Sequence, residues 1–400
     1  MAKTKTQKRR PQSASRASKT PSVIVPPTND QIFIYGLLLA ATSMVVGVIW
    51  DISWDGSVGK DSFWTTAHMA LNFGGLIAWI IAIRMTVHAT RSGHPASVQV
   101  GLLRLPFGAL CILWGGIAML TYGTLDVWWS GAYGLMSGSW AAPQILVTAG
   151  IAAILIGTLL LTASRNNLTT EDTGETQGAE GKKVRSTLWA AGLLLTFAAT
   201  ATVEINLPNL QRTALFYSVS CAVYPLILTW LAGTAYGRWP ATFTALVYTG
   251  LVCMLIWILP LLPATPLIGP VYQQIDHMLP PHFPLLLIVP ALVIDLIFQH
   301  VRQNDWIKSV LCGLLFTLVF MGAQWYFAEF LLSSAADNGL FAEGGRYWPF
   351  YMQVGPERTM FWGLEQSPVH AGTIFGCMLL AMASSRIGLW LGGWMGALQR

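Results

Sequence analysis

Residues 50–68 read WDISWDGSVGKDSFWTTAH and place three aspartates, a lysine and a histidine between two long apolar runs. Asp51 and Asp55 are four residues apart, so a helix that continues through them carries both carboxylates on one face. His68 opens the next apolar run, and a chain that doubles back returns its imidazole to the two acids. Two carboxylates and an imidazole suit a divalent transition metal. Asn72, one turn after His68, is placed to orient such a ligand from behind. Each residue also has an ordinary reading: the aspartates as solvated loop residues, His68 as an interfacial imidazole bonded to backbone.

A second stretch, 125–144, reads LDVWWSGAYGLMSGSWAAPQ and repeats the plan. Asp126 stands where Asp51 does, Trp129 where Trp54 does, Gly134 where Gly59 does and Trp140 where Trp64 does. Ser130 then corresponds to Asp55 and Gln144 to His68. Two helix pairs with matching connections indicate a duplicated helical hairpin.

The second half offers YQQIDHMLPPHFPLLLIVPA, with Asp276, His277 and His282, and FWGLEQSPVHAG, with Glu365 and His370. Both put histidine beside proline at the entry to an apolar run, as the first repeat puts His68. If the hairpins pack together, His68, His277, His282 and His370 share one outer vestibule with Asn72 and Glu329. Asp295 and Glu204 are further acids within or beside apolar runs, where burying a charge costs several kcal/mol. Asp295 is placed for a proton or ion path, and each acid also reads as a neutral or interfacial carboxyl. His88, His94 and His300 read as inner-side loop residues.

The elements that must hold these residues are membrane helices. The chain has 400 residues, 54% apolar and 10% charged, with 18 tryptophans, against roughly 25% charged in a soluble domain. Its mean hydropathy is +0.54. Ten apolar runs of spanning length are expected at 32–50, 64–86, 100–123, 140–163, 186–205, 214–236, 239–261, 283–300, 307–332 and 369–390. The fifth and eighth are the weakest. The expected fold is all-α: a polytopic integral membrane helix bundle of about ten transmembrane helices, with the duplicated hairpin in its first half. Lys and Arg gather in alternate connections, which puts the amino terminus in the cytoplasm; the resemblance described below implies a bacterial plasma (inner) membrane.

Residues 1–30 hold seven Lys or Arg and one acid, are Ser/Thr/Pro-rich and lack a signal-peptide core, so they read as a disordered cytoplasmic tail. Beside a first membrane helix, attraction to anionic lipid accounts for this charge without nucleic acid. The polar stretch 164–185 reads as a cytoplasmic linker between the four-helix region 31–163 and the six-helix region 186–400. The five cysteines sit singly in apolar runs and form no CxxC pair. Gly115 and Gly116 read as helix-packing points. No phosphate-binding glycine loop, Walker motif or nucleophile elbow occurs.

The spacing Asp-x3-ligand-x12-His, followed about 75 residues on by Asp-x3-ligand-x13-ligand, resembles the C subunit of the copper membrane monooxygenases, particulate methane and ammonia monooxygenase among them. It is also similar to a broader group of polytopic bacterial proteins carrying D-x-x-W-H…W-x-P-P-H repeats. In the monooxygenase family the first motif is Asp-x3-His-x12-His and binds copper, and the second is Asn-x3-His-x13-His and forms a second copper site. Here the first falls on Asp51, Asp55 and His68, the second on Asp126, Ser130 and Gln144. Asp55 replaces an imidazole, which favours a harder ion than copper. Ser130 and Gln144 replace two imidazoles, so that second site is degenerate and expected to be empty. The resemblance covers residues 31–163 and leaves 186–400 without a counterpart. It implies one metal, copper or another divalent ion, near the outer face, partner membrane subunits or a homo-oligomer, and, if active, dioxygen activation that hydroxylates a small apolar substrate. The missing imidazoles open an alternative, an accessory or scaffold protein without metal chemistry. A transporter is the third reading, against which stands the concentration of the polar clusters at the outer ends rather than near the bilayer midplane.

Overall fold

The protein is described by a computed structural model covering residues 30–59, 64–93, 97–134, 141–172, 177–234, 236–267, 276–301, 304–336, 338, 340–341 and 368–398. The basic tail before residue 30, Trp140 and Glu365 lie outside them.

Ten helices are described: α1 (Asp30–Ser57), α2 (Thr66–Ser92), α3 (Phe107–Tyr133), α4 (Ala142–Asp172), α5 (Gln177–Thr200), α6 (Ala214–Ala232), α7 (Pro240–Ile258), α8 (Ile288–His300), α9 (Asp305–Leu331) and α10 (Ala371–Gly396). Each falls on one of the ten expected runs. Eight are long and apolar enough to cross a membrane. The other two contain only shorter apolar helices, Val184–Thr200 in α5 and Leu285–His300 around α8. The chain is therefore an all-α polytopic bundle suited to a lipid bilayer.

The boundaries depart from the reading in three places. The third helix begins at Phe107 rather than residue 100, because β1 (Val98–Val100) and β2 (Leu103–Leu105) form a small antiparallel hairpin ahead of it. Gly101 turns that hairpin at φ 60°, a conformation open to glycine at no steric cost. The polar stretch 164–185 is not a loop throughout, since α4 runs to Asp172 and α5 starts at Gln177. A formed helix adds residues far more cheaply than it nucleates, so polar sequence extends it. Third, α1 and α3 run seven and ten residues past their expected apolar ends, carrying the candidate acids on helix instead of loop.

Consecutive helices pair as antiparallel hairpins, α1 with α2 and α3 with α4, while α10 packs between α6 and α9. The two hairpins close through glycines. A Cβ on Gly115 would sit 2.5 Å from the Gly150 carbonyl, and one on Gly108 as close to that of Gly157. Without lipid-excluding force between helices, such close backbone approach supplies the dispersion contact that holds them. Helix α5 packs on α1, α4 and α7, so the two halves share a continuous core rather than meeting at a linker.

Candidate functional site

The end of the bundle at which α1 finishes is called distal here. Two features of α1 and α2 deliver Asp51 and His68 to one another. Helix α1 continues to Ser57 and stops at Gly59, φ 78°, where the N–H groups of Val58 and Gly59 both bond to the Trp54 carbonyl. Helix α2 starts at Thr66, so His68 occupies its first turn. Between the helices, a Cβ on Gly47 would stand 2.6 Å from the Leu71 nitrogen, and Ser43 Oγ donates to the Ala70 carbonyl at 2.8 Å. Asp51 lies one turn beyond Gly47, and His68 lies one turn before Leu71. The close approach therefore fixes both side chains across the seam, and His68 Nε2 lies 3.2 Å from Asp51 Oδ1. Both are mostly buried, 16% and 22% exposed.

The third member does not join them in burial. Asp55 is exposed, a turn further along α1. Among the described residues no three His, Cys, Asp or Glu side chains stand close enough together to hold a metal ion. Asn72 is half-buried on α2, one turn from His68. In the second hairpin, Asp126 and Ser130 lie on the last turns of α3 and Gln144 in the first turn of α4, all half-buried. The Ser130 carbonyl accepts from Gly134, φ 96°, so the helix end repeats the glycine stop of the first hairpin. Residues 135–140 of that connection lie outside the described residues.

The connection between α7 and α8 is fastened to the same end. Leu267 N–H donates to the Val58 carbonyl at 2.9 Å, and Leu279 N–H to Ser57 Oγ at 2.8 Å. Pro263 and His277 pair as an isolated antiparallel bridge. His277 Nδ1 lies 2.7 Å from Asp276 Oδ1, and that contact holds the exposed Asp276 carboxyl below the usual carboxylate range. His282 is buried, and desolvation lowers its pKa to about 3, so it is a neutral imidazole inside the protein rather than the lining of an open mouth. Glu329 is exposed on the last turn of α9. His370 is exposed as the N-cap of α10, its N–H directed at Thr373 Oγ1. The expected vestibule thus separates into a buried Asp51–His68 pair, a fastened connection and two exposed residues.

Asp295 acts otherwise than as an ion path. It is 1% exposed, its Oδ1 accepts from Ala241 N at 3.1 Å, and its Oδ2 accepts from Thr242 N at 2.8 Å and Thr242 Oγ1 at 2.7 Å. Helix α8 thereby caps the amino end of α7, where backbone donors lack partners and the dipole favours negative charge.

A polar core in the second half escaped the sequence reading. Gln324, two turns before the end of α9, donates from Nε2 to Gln211 Oε1 at 2.7 Å and accepts at Oε1 from Leu286 N at 3.4 Å. Gln211 Nε2 donates to the Asn206 carbonyl, and Asn206 Nδ2 to that of Ala199. Gln324, Gln211 and Asn206 are all fully buried. Two irregular segments, 201–213 after α5 and 276–287 before α8, so meet on α9. The signal was present in INLPNLQR, an amide-rich run before an apolar helix, and in a lone Gln within FMGAQWYF.

No protein-family model, curated protein or solved structure matches the chain.

Proposed function

We propose that the protein is a membrane-embedded, non-catalytic relative of the copper monooxygenase C subunit, an accessory or scaffold subunit of the bacterial plasma membrane with its amino terminus in the cytoplasm. The contact between Asp51 and His68 carries this reading. The motif needs the second helix to return its imidazole to the acid near the end of the first, and a 3.2 Å approach is what that return produces. The third ligand position, Asp55, is exposed a turn away, and Ser57 and Val58 beyond it hold the α7–α8 connection. The pair therefore works as a latch between helices at an end of the bundle organised by backbone bonds. One imidazole and one half-buried carboxylate do not make up the donor set of a copper centre.

Copper content of the purified full chain after growth in copper tests this. The expected result is far less than one copper per chain, unchanged in His68→Ala. One copper per chain, lost in His68→Ala, would overturn the reading and restore metal chemistry at this end.

A second reading, a transporter, is favoured by the two interrupted spans that meet at buried Gln324. Short or broken helices mark the binding site in many transporters. Proton or metal flux into proteoliposomes, lost in a folded Gln324→Leu variant, is the result it expects, and a leak-free wild type would dismiss it for those ions.

A further inference from the structure

The polar core borders a group of side chains that hydrogen bonding within the described residues leaves incomplete. Arg212 closes the short turn Leu210–Arg212, one residue before Thr213, the N-cap of α6. Its guanidinium lies over the Trp325 ring, 4.7 Å from the centroid. It has no carboxylate within ion-pair distance among the described residues, and its Nε is buried without a hydrogen-bond partner. Tyr217, in the opening turns of α6, is fully buried and lies nearly parallel to the same Trp325 ring, centroids 6.3 Å apart at 14°. Its hydroxyl is also buried without a partner, and it lies within electrostatic reach of Arg212. The amino end of α6, with Thr213 Oγ1 accepting from Phe216 N, faces this distal side.

A buried donor left unbonded costs about 1–3 kcal/mol, and here there are two, one of them on a cation that has no counter-charge among the described residues. The guanidinium fork matches the spacing of oxyanion oxygens. The tyrosine hydroxyl adds a neutral donor, and the positive end of the α6 dipole acts in the same sense. Arg212 is half-buried, so part of its side chain remains accessible from outside the protein.

We propose that Arg212 and Tyr217, gathered on Trp325 at the start of α6, form a binding site for a phosphate-type oxyanion, carried either by a free ion or by a lipid headgroup. The site is independent of the Asp51–His68 latch and of the kinship argued from it.

The test uses the full chain in phosphatidylcholine nanodiscs. Binding is followed as a saturable rise in melting temperature, first with inorganic phosphate and then with phosphatidylglycerol mixed into the discs. Saturable stabilisation by phosphate identifies a soluble anion, and stabilisation by phosphatidylglycerol alone identifies a lipid headgroup. In either case Arg212→Gln should weaken binding by about tenfold or more, and Tyr217→Phe, which removes one unbonded oxygen from an otherwise unchanged ring, by a smaller factor. No saturable response to either probe in the wild type overturns the proposal. So does unchanged binding in folded Arg212→Gln. If that variant does not fold, unchanged binding in Tyr217→Phe overturns it.

Discussion

Asp51 reaches His68 because Gly47 has no side chain. A larger residue there would strike the Leu71 backbone, tilt α2 away and part the pair. The types and spacing of the two residues were legible in the sequence, and so was their meeting across a hairpin. What could not be read was that α1 continues through Asp55, since helix length past an apolar run depends on where the glycine stop falls. The latch has a measurable strength. A double-mutant cycle with Asp51→Asn and His68→Gln should give a coupling of about 0.5–1 kcal/mol in unfolding stability, the range of a close but partly exposed ion pair. Additive single effects would show that the two side chains merely lie close. His282 makes a prediction of a different kind. Its pKa falls from 6.5 to about 3 on folding, so between those values the unfolded chain binds a proton that the folded chain refuses. Its contribution is therefore constant above about pH 6.5, and stability declines as the pH drops towards 3. Melting in detergent at pH 7 and pH 5 should show the loss, and His282→Phe should flatten that slope.

At the scale of elements, hydropathy located the ten described helices yet said little about how they end. The hairpin 98–105, the polar extension of α4 and the buried connections around α5 and α8 are set by glycine conformation and by partners distant in sequence. Asp295 shows the difference. An acid inside an apolar run suggests ion movement, but its three bonds to Ala241 and Thr242 make it the cap of a neighbouring helix. Asp295→Ala should lower stability by about 2 kcal/mol or more, the cost of a lost cap plus unbonded buried donors, and thermal unfolding measures it. Thr242→Val, which removes one of the three bonds, should cost less. At the α3–α4 seam, Gly115→Leu should separate the two helices, because its first side-chain carbon has no room beside the Gly150 carbonyl. The readout is cysteine cross-linking between Cys111 and a cysteine introduced on the facing side of α4, efficient in the parent and lost in the variant.

Across the whole molecule, the sequence suggested four helices joined by a linker to six, and α5 removes that division by packing on α1, α4 and α7. Composition carries no information about such cross-packing, which depends on which faces happen to be small. Helix α10 extends the same principle. Gly388 and Gly392 lie against the backbone of α6, where a Cβ on Gly392 would come 2.5 Å from the Trp230 carbonyl, and Asn167 of α4 bonds the carbonyls of Met395 and Leu398 at 2.9 and 2.8 Å. Gly392→Leu should therefore loosen both halves at once, lowering the single melting transition rather than splitting it.

That clasp bears on how the protein is made. Helix α10 leaves the ribosome after α6 and α9, so those two helices sit in the bilayer with a vacant slot between them while synthesis continues. The faces of α6 and α9 that α10 covers stay open until it arrives. Asn167 of α4, already in place, then bonds the end of the incoming helix, so one amide ties the first half of the bundle to its closure.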